Sequence, residues 1–146
     1  MLTVEPEVIE AYVRTGKVQL VFRDVLNHGE RSERTSEAAA SAGRQGHFWP
    51  MHALLFEEQP AVWATSNDGL IGLLLGYAAR LPGLDQVTFA QSLQGRATLA
   101  ALKATDAEQR KRGITSQPII EIGTQRLVGL QSFEVMQRAI EAALKG

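Results

Sequence analysis

The sequence predicts an α/β fold in which a small sheet is interrupted by a long helical insertion. Three observations carry that prediction. Gly113 to Leu144 reads as a loop, two short strands joined by a tight turn, and an amphipathic helix. Lys17 to Val25, KVQLVFRDV, is a second β-rich run, with Val18, Leu20 and Phe22 alternating against Gln19, Val21 and Arg23. Between them, residues 36–112 carry helix starts, stops and helical spacing, and no strand signal.

At the N-terminus, Glu5-Pro6-Glu7 reads as the first turn of a short helix. Proline is tolerated there and the acids complement the positive end of the helix dipole. Val8, Ile9, Tyr12 and Val13 form its buried face, and Gly16 fits as the residue that ends it. The strand predicted over 17–25 follows, and Val21 on its second face suggests cover on both sides. Asn27 to Thr35 reads as a polar connector, after which Ser36 is predicted to cap a helix over Glu37 to Arg44. Phe48, Met51 and Leu55 with Trp49, Ala53 and Phe56 predict a helix apolar over a broad arc, with Pro50 in its first turn. Thr65 or Ser66 caps an apolar helix from Leu70 to Leu81 that Pro82-Gly83 stops. Asp85 caps a short helix that Gly95 breaks, and an alanine-rich helix runs from about Arg96 to Arg112. Strands are then expected over 118–122 and 126–129 around Gly123-Thr124, and Ser132 caps a last helix with Phe133, Met136, Ile140 and Leu144 on one face.

Composition narrows the function classes. A chain of 146 residues suits a single domain with a real core, and 45% hydrophobic with 21% charged residues is ordinary globular usage. A net charge of −1 gives no basic field for nucleic acid. The cluster Arg110-Lys111-Arg112 is flanked by Asp106 and Glu108 and reads as a solvated helix end. The absence of cysteine excludes disulfides, thiolate metal sites and cysteine nucleophiles within these residues. Leu70 to Leu81, the most apolar run, is far below the roughly 20 residues a membrane span needs, and the N-terminus has no signal-peptide pattern. The expectation is a soluble chain with no export signal, cytoplasmic as given, with no nucleic-acid or membrane partner.

Several blocks in order resemble the DsbA-like thiol–disulfide oxidoreductases: AYVRTGKVQLVFRDV at Ala11 to Val25, AAASAGRQGHFWPMHALLF at Ala38 to Phe56, and GITSQP at Gly113 to Pro118 before the hairpin and helix. The resemblance covers nearly the whole chain. It implies a thioredoxin-like sheet, formed by 1–25 and 113–146, with a helical insert over 26–112, the whole making one structural unit. In that family a strand and a Cys-x-x-Cys helix start come first; here both are absent, so the chain is expected to be truncated relative to the family pattern. Ser41 stands where many relatives carry a further cysteine. The family's proline before the hairpin is cis, which puts Pro118 in a cis-proline loop with Ser116 and Gln117. That loop is the peptide-binding candidate that the resemblance implies.

No catalytic, cofactor or metal site is expected. Thiol–disulfide exchange needs a thiolate to attack and a thiol to leave, and this polypeptide has neither. His47 and His52 are five residues apart, about 140° around a helix, which suits no shared metal; with His28 they complete the histidines. Ser36, His52 and Asp24 could be assembled on paper as a nucleophilic triad, but no nucleophile-elbow pattern supports one. Phe48, Trp49, Phe56 and Trp63 read as core aromatics around the second insert helix.

Two readings of function follow. The favoured one is a non-catalytic structural or interaction module. The other is a fragment of a thiol–disulfide oxidoreductase whose Cys-x-x-Cys segment lies upstream or on another chain. In the family arrangement the absent strand lies between 17–25 and 119–122, which would leave those two roughly 9–10 Å apart. An obligate homo-oligomer, most simply a homodimer joined through Val18 to Val25 and the N-terminal helix, is expected to satisfy the exposed strand edge.

Overall fold

A computed structural model describes residues 4–145. The chain divides into two compact units, one formed by the residues up to Arg23 with those from Gly113 onward, the other by Asp24–Arg112.

The first unit opens with α1, Val4–Val8, which continues as a wider π-helical turn over Ile9–Val13. Gly16 follows in the left-handed region at φ 71°, and the Lys17 and Val18 amides turn back to the Tyr12 carbonyl, ending the helix. After the other unit, the chain forms β1, Ile119–Ile122, and β2, Gln125–Val128, an antiparallel hairpin that pairs Ile122 with Gln125 and Ile119 with Val128. The left-handed φ of 56° at Gly123 suits the two-residue turn, where a Cβ would also sit 3.2 Å from Ala143. Helix α8, Phe133–Ala143, starts at Ser132, whose hydroxyl accepts the Val135 N–H. Val8 and Tyr12 of the first helix bury against Met136 and Ile140 of α8, and Val18, Ile120, Ile122 and Leu127 close that core.

The strand expected over 17–25 is not one. Among the described residues the sheet has two strands, β1 and β2, and 18–26 belong to no helix or strand. The side-chain pattern is nevertheless a strand's: Lys17, Gln19, Val21 and Arg23 are exposed while Val18, Leu20 and Phe22 are half-buried. Strict period-two burial is what a β-run with one covered face shows. A strand, however, is defined by its ladder, and the described sheet gives this run no place in one. The hairpin itself lies one residue from its expected bounds, at 119–122 and 125–128.

The second unit contains helices and no strand. Helix α2, Glu30–Gly43, begins well before the expected Glu37. Gly29, at φ 58°, makes the turn into it, so Ser36 is an interior residue and not the cap. The polar run read as a connector is amphipathic instead: Arg31, Arg34 and Glu37 all find partners on other segments. α3, Phe48–Glu57, and α4, Gln59–Ala64, follow. α5, Asn67–Ala78, is capped by Ser66, and α6, Gln86–Gln94, by Asp85. α7, Leu99–Lys111, starts later than Arg96 because Arg96 itself takes a left-handed backbone, φ 53°. The core of this unit is Ala38 and Ala42 from α2, Met51 and Leu54 from α3, Leu70 and Leu74 from α5, and Phe89 and Leu93 from α6. Alanines on α2 let neighbouring helices approach, and larger residues opposite fill the space.

Among the described residues no helix is long and apolar enough to cross a membrane.

Candidate functional site

Gly113, in the left-handed region at φ 77°, redirects the chain after α7, and buried Ile114 fixes the loop that follows. Thr115, Ser116 and Gln117 are exposed, Pro118 is half-buried, and the Gln117–Pro118 peptide is cis. The Pro118 carbonyl accepts the Gly129 N–H at 2.9 Å, extending the hairpin by one pair beyond Ile119–Val128. Ser116, Gln117 and Pro118 therefore sit together at the open end of the hairpin. Beside them Val128 is 65% exposed and Leu130 74% exposed. Glu121 and Arg126 pair across the strands at 2.8 Å.

The other candidate residues do not assemble into a reactive centre. Ser36 Oγ donates to Asp24 Oδ1 at 2.5 Å, so the serine proton points to the carboxylate and not to a histidine. Burial pushes the Asp24 carboxyl above its ordinary range, while the Ser36 hydroxyl and the field of His52 oppose that shift. His52 is buried with its ring 4.8 Å from Phe56, 5.7 Å from Phe48 and 5.4 Å from Trp49. His47 lies between two carbonyls, Gln45 O at 2.7 Å and Pro82 O at 3.0 Å. His28 meets the edge of Trp63. The three histidines thus occupy three separate environments. Trp49 and Trp63 both leave the expected core cluster, at 39% and 49% exposed, and Trp63 stacks under the Arg31 guanidinium, which also donates to the Val62 and Thr65 carbonyls.

The strongest polar cluster was not visible in the sequence. Arg96 Nη2 reaches Glu33 at 2.6 Å and Glu37 at 3.1 Å, Lys103 Nζ reaches Glu33 at 3.0 Å, and Arg34 Nη1 lies 3.6 Å from Glu37. Glu37 is fully buried, and a buried carboxylate is tenable only when paired in this way. These residues lie up to 70 positions apart, so no local pattern announces them; the one clue was an acid, Glu37, on the small-residue face of α2. The cluster is complete in itself and presents no reactive group.

A family model described as Thioredoxin matches residues 1–142. The chain belongs to the thioredoxin family. Disulfide bond formation protein D of Bacillus subtilis (strain 168) is 26% identical over 152 residues, covering 97% of this chain and 64% of its own length. Na(+)/H(+) antiporter NhaA 1 of Salinispora arenicola (strain CNS-205) is 27% identical over 144 residues, covering 97% of this chain and 21% of its own. The chain thus spans just under two thirds of the first relative and about a fifth of the second. The solved structure of oxidised BdbD from Bacillus subtilis matches with a TM-score of 0.85 at 22% identity, over 99% of this chain and 78% of that one. The fold of this thioredoxin-family chain is therefore DsbA-like, helical with a small two-stranded sheet, and it carries no cysteine.

Proposed function

We propose that this thioredoxin-family chain is the scaffold part of a DsbA-like thiol–disulfide oxidoreductase, with no redox chemistry of its own. Its Cys-x-x-Cys segment comes from outside residues 1–146, either upstream or on another polypeptide. The observation that carries this reading is the run from Lys17 to Val21, which alternates in burial as a strand does yet lies outside the described sheet. The Lys17 and Val18 amides already bond the Tyr12 carbonyl; for the backbone beyond them a neighbouring strand is the most economical source of pairing. The spans covered in the relatives, 64% and 78%, agree with further sequence in whole proteins of this type. In this reading Ser116, Gln117 and Pro118 form the loop that receives an extended peptide substrate, by strand-like pairing beside the cis-proline. The coding DNA upstream of Met1 tests it: an in-frame strand followed by Cys-x-x-Cys supports the scaffold reading, and an in-frame stop there favours the stand-alone, non-catalytic module instead.

A second reading is a stand-alone, non-catalytic interaction module that assembles as a homodimer through the run from Val18 to Val25 and the first helix. Ser41 favours it: at the position where relatives carry cysteine, the serine is buried and hydrogen-bonded to Ser92, so the cysteine-free interior is a settled one. Sedimentation at micromolar concentration separates the two. A dimer supports the module, and a compact folded monomer counts against it.

A further inference from the structure

The helical unit interrupts the thioredoxin-like unit, so the chain crosses between them twice, at Arg23–Asp24 and at Arg112–Gly113. Both crossings are tied down by the same two side chains. Asp106 Oδ1 accepts the Leu26 N–H at 2.8 Å, and Asp106 Oδ2 holds Arg110 Nε at 2.8 Å. Arg110 Nη2 in turn donates to Asn27 Oδ1 at 3.0 Å and to the Leu26 carbonyl at 3.4 Å. Leu26 is the third residue of the helical unit and Arg110 the third from its end. Asp24 adds an anchor to α2 through Ser36. The acid and the base stand one helical turn apart on α7, so a rigid element presents both to one short stretch of incoming chain.

We propose that Asp106 and Arg110 form a clasp that holds the two ends of the helical unit side by side and so stabilises the other unit. The first helix and the run from Lys17 lie before the insertion, while the hairpin and α8 lie after it. The folded helical unit already joins α2 to α7 through Glu33 and Lys103, so without the clasp it is the stretch over 24–29, ahead of α2, that is slack and must be ordered when the two halves meet, at an entropic cost. With the ends already held together, the thioredoxin-like unit closes only a short connection. Clasp residues belong to the helical unit by position, yet their main effect falls on the hairpin.

Native-state amide hydrogen exchange on the full chain tests this. In Asp106→Ala, exchange of the β1–β2 ladder amides is expected to accelerate at least tenfold, while amides of α5 around Leu70 and Leu74 stay within twofold. Asp106→Asn retains an acceptor for the Leu26 N–H and is expected to keep most of the ladder protection. Arg110→Met, which spares that bond, provides the same comparison if the alanine variant does not fold. Ladder protection unchanged in both Asp106→Ala and Arg110→Met, or α5 losing protection as much as the ladder, would overturn the proposal.

Discussion

Ser41 Oγ and Ser92 Oγ lie 2.8 Å apart, joining α2 to α6 inside the helical unit, with Ser41 only 1% exposed. A pair of hydroxyls facing each other is satisfied only while both are present. Ser41→Ala leaves the half-buried Ser92 hydroxyl without this partner and is expected to cost about 0.5–1.5 kcal/mol. The double variant with Ser92→Ala should cost less than the sum of the two singles by about 0.5 kcal/mol or more. Urea unfolding followed by tryptophan fluorescence measures the cycle, since both tryptophans, Trp49 and Trp63, lie in the helical unit. Strict additivity would show that the two hydroxyls do not depend on each other.

The Glu33 carboxyl sits below its ordinary range because Lys103 and Arg96 both hold its charged form. A carboxyl depressed in the folded state contributes stability above its unfolded value and loses it as pH falls through the folded one. Acidification below the usual glutamate range near pH 4.5 is therefore expected to lower the thermal midpoint, and Glu33→Gln should flatten that acid limb. An acid limb with the same slope in the variant would place the lost stability elsewhere.

Asp24 has the opposite sign. Its carboxyl is raised, chiefly by burial, so its stabilising form is the protonated one, and stability falls as pH rises through the folded value. Asn mimics the protonated group and can still accept the Ser36 hydroxyl. Asp24→Asn is expected to raise the thermal midpoint at pH 7, with the advantage over the parent shrinking toward pH 3. A lower midpoint at pH 7 would mean that the ionised carboxylate is needed.

Gly72 and Gly76 lie on the exposed side of α5, with nothing within 4 Å of an added Cβ at either site. Interior helix glycines cost roughly 0.5–1 kcal/mol relative to alanine. Gly72→Ala and Gly76→Ala should each stabilise by that amount, whereas Gly69→Ala should gain less, because Thr65 Cγ2 would sit 3.1 Å away. Chemical denaturation of the three variants decides the ordering. A loss at Gly72 or Gly76 would mean that this open face is occupied in solution.

Local chemistry was what the sequence made legible. Asp85 and Ser132 were readable as caps because a side-chain acceptor before an apolar periodic run has one dominant use, and of the two candidates Thr65 and Ser66 the structure selects Ser66; all three caps accept an amide of the first turn. The turn at Gly123 was legible for a similar reason, whereas α5 closes at Ala78, short of the expected Leu81. The start of α2 was not, because residues 27–35 hold turn-forming types whose helix is secured by distant partners: Arg34 reaches Leu93 and Glu33 reaches Lys103. The run over 17–25 showed the opposite failure. Its alternation was read correctly, but strand status depends on a neighbour, which lies in no local pattern. At the candidate site, the loop of Ser116, Gln117 and Pro118 came from a family resemblance, whereas the exposed Val128 and Leu130 beside it needed the hairpin register.

In the proposed function, residues 1–146 supply a scaffold and the redox chemistry enters with a separate strand and Cys-x-x-Cys segment. Dithiol-peptide oxidation, with oxidised glutathione present to reoxidise the Cys-x-x-Cys pair, is measured for the chain alone, for the segment alone, and for the two together. The segment is supplied as a polypeptide bearing an apolar strand followed by Cys-x-x-Cys and its helix start. The chain alone should show no turnover above background, and the mixture should turn over at least tenfold faster than the segment alone. Turnover by the purified chain itself, or a mixture no faster than the segment while the chain stays folded, would contradict the scaffold role.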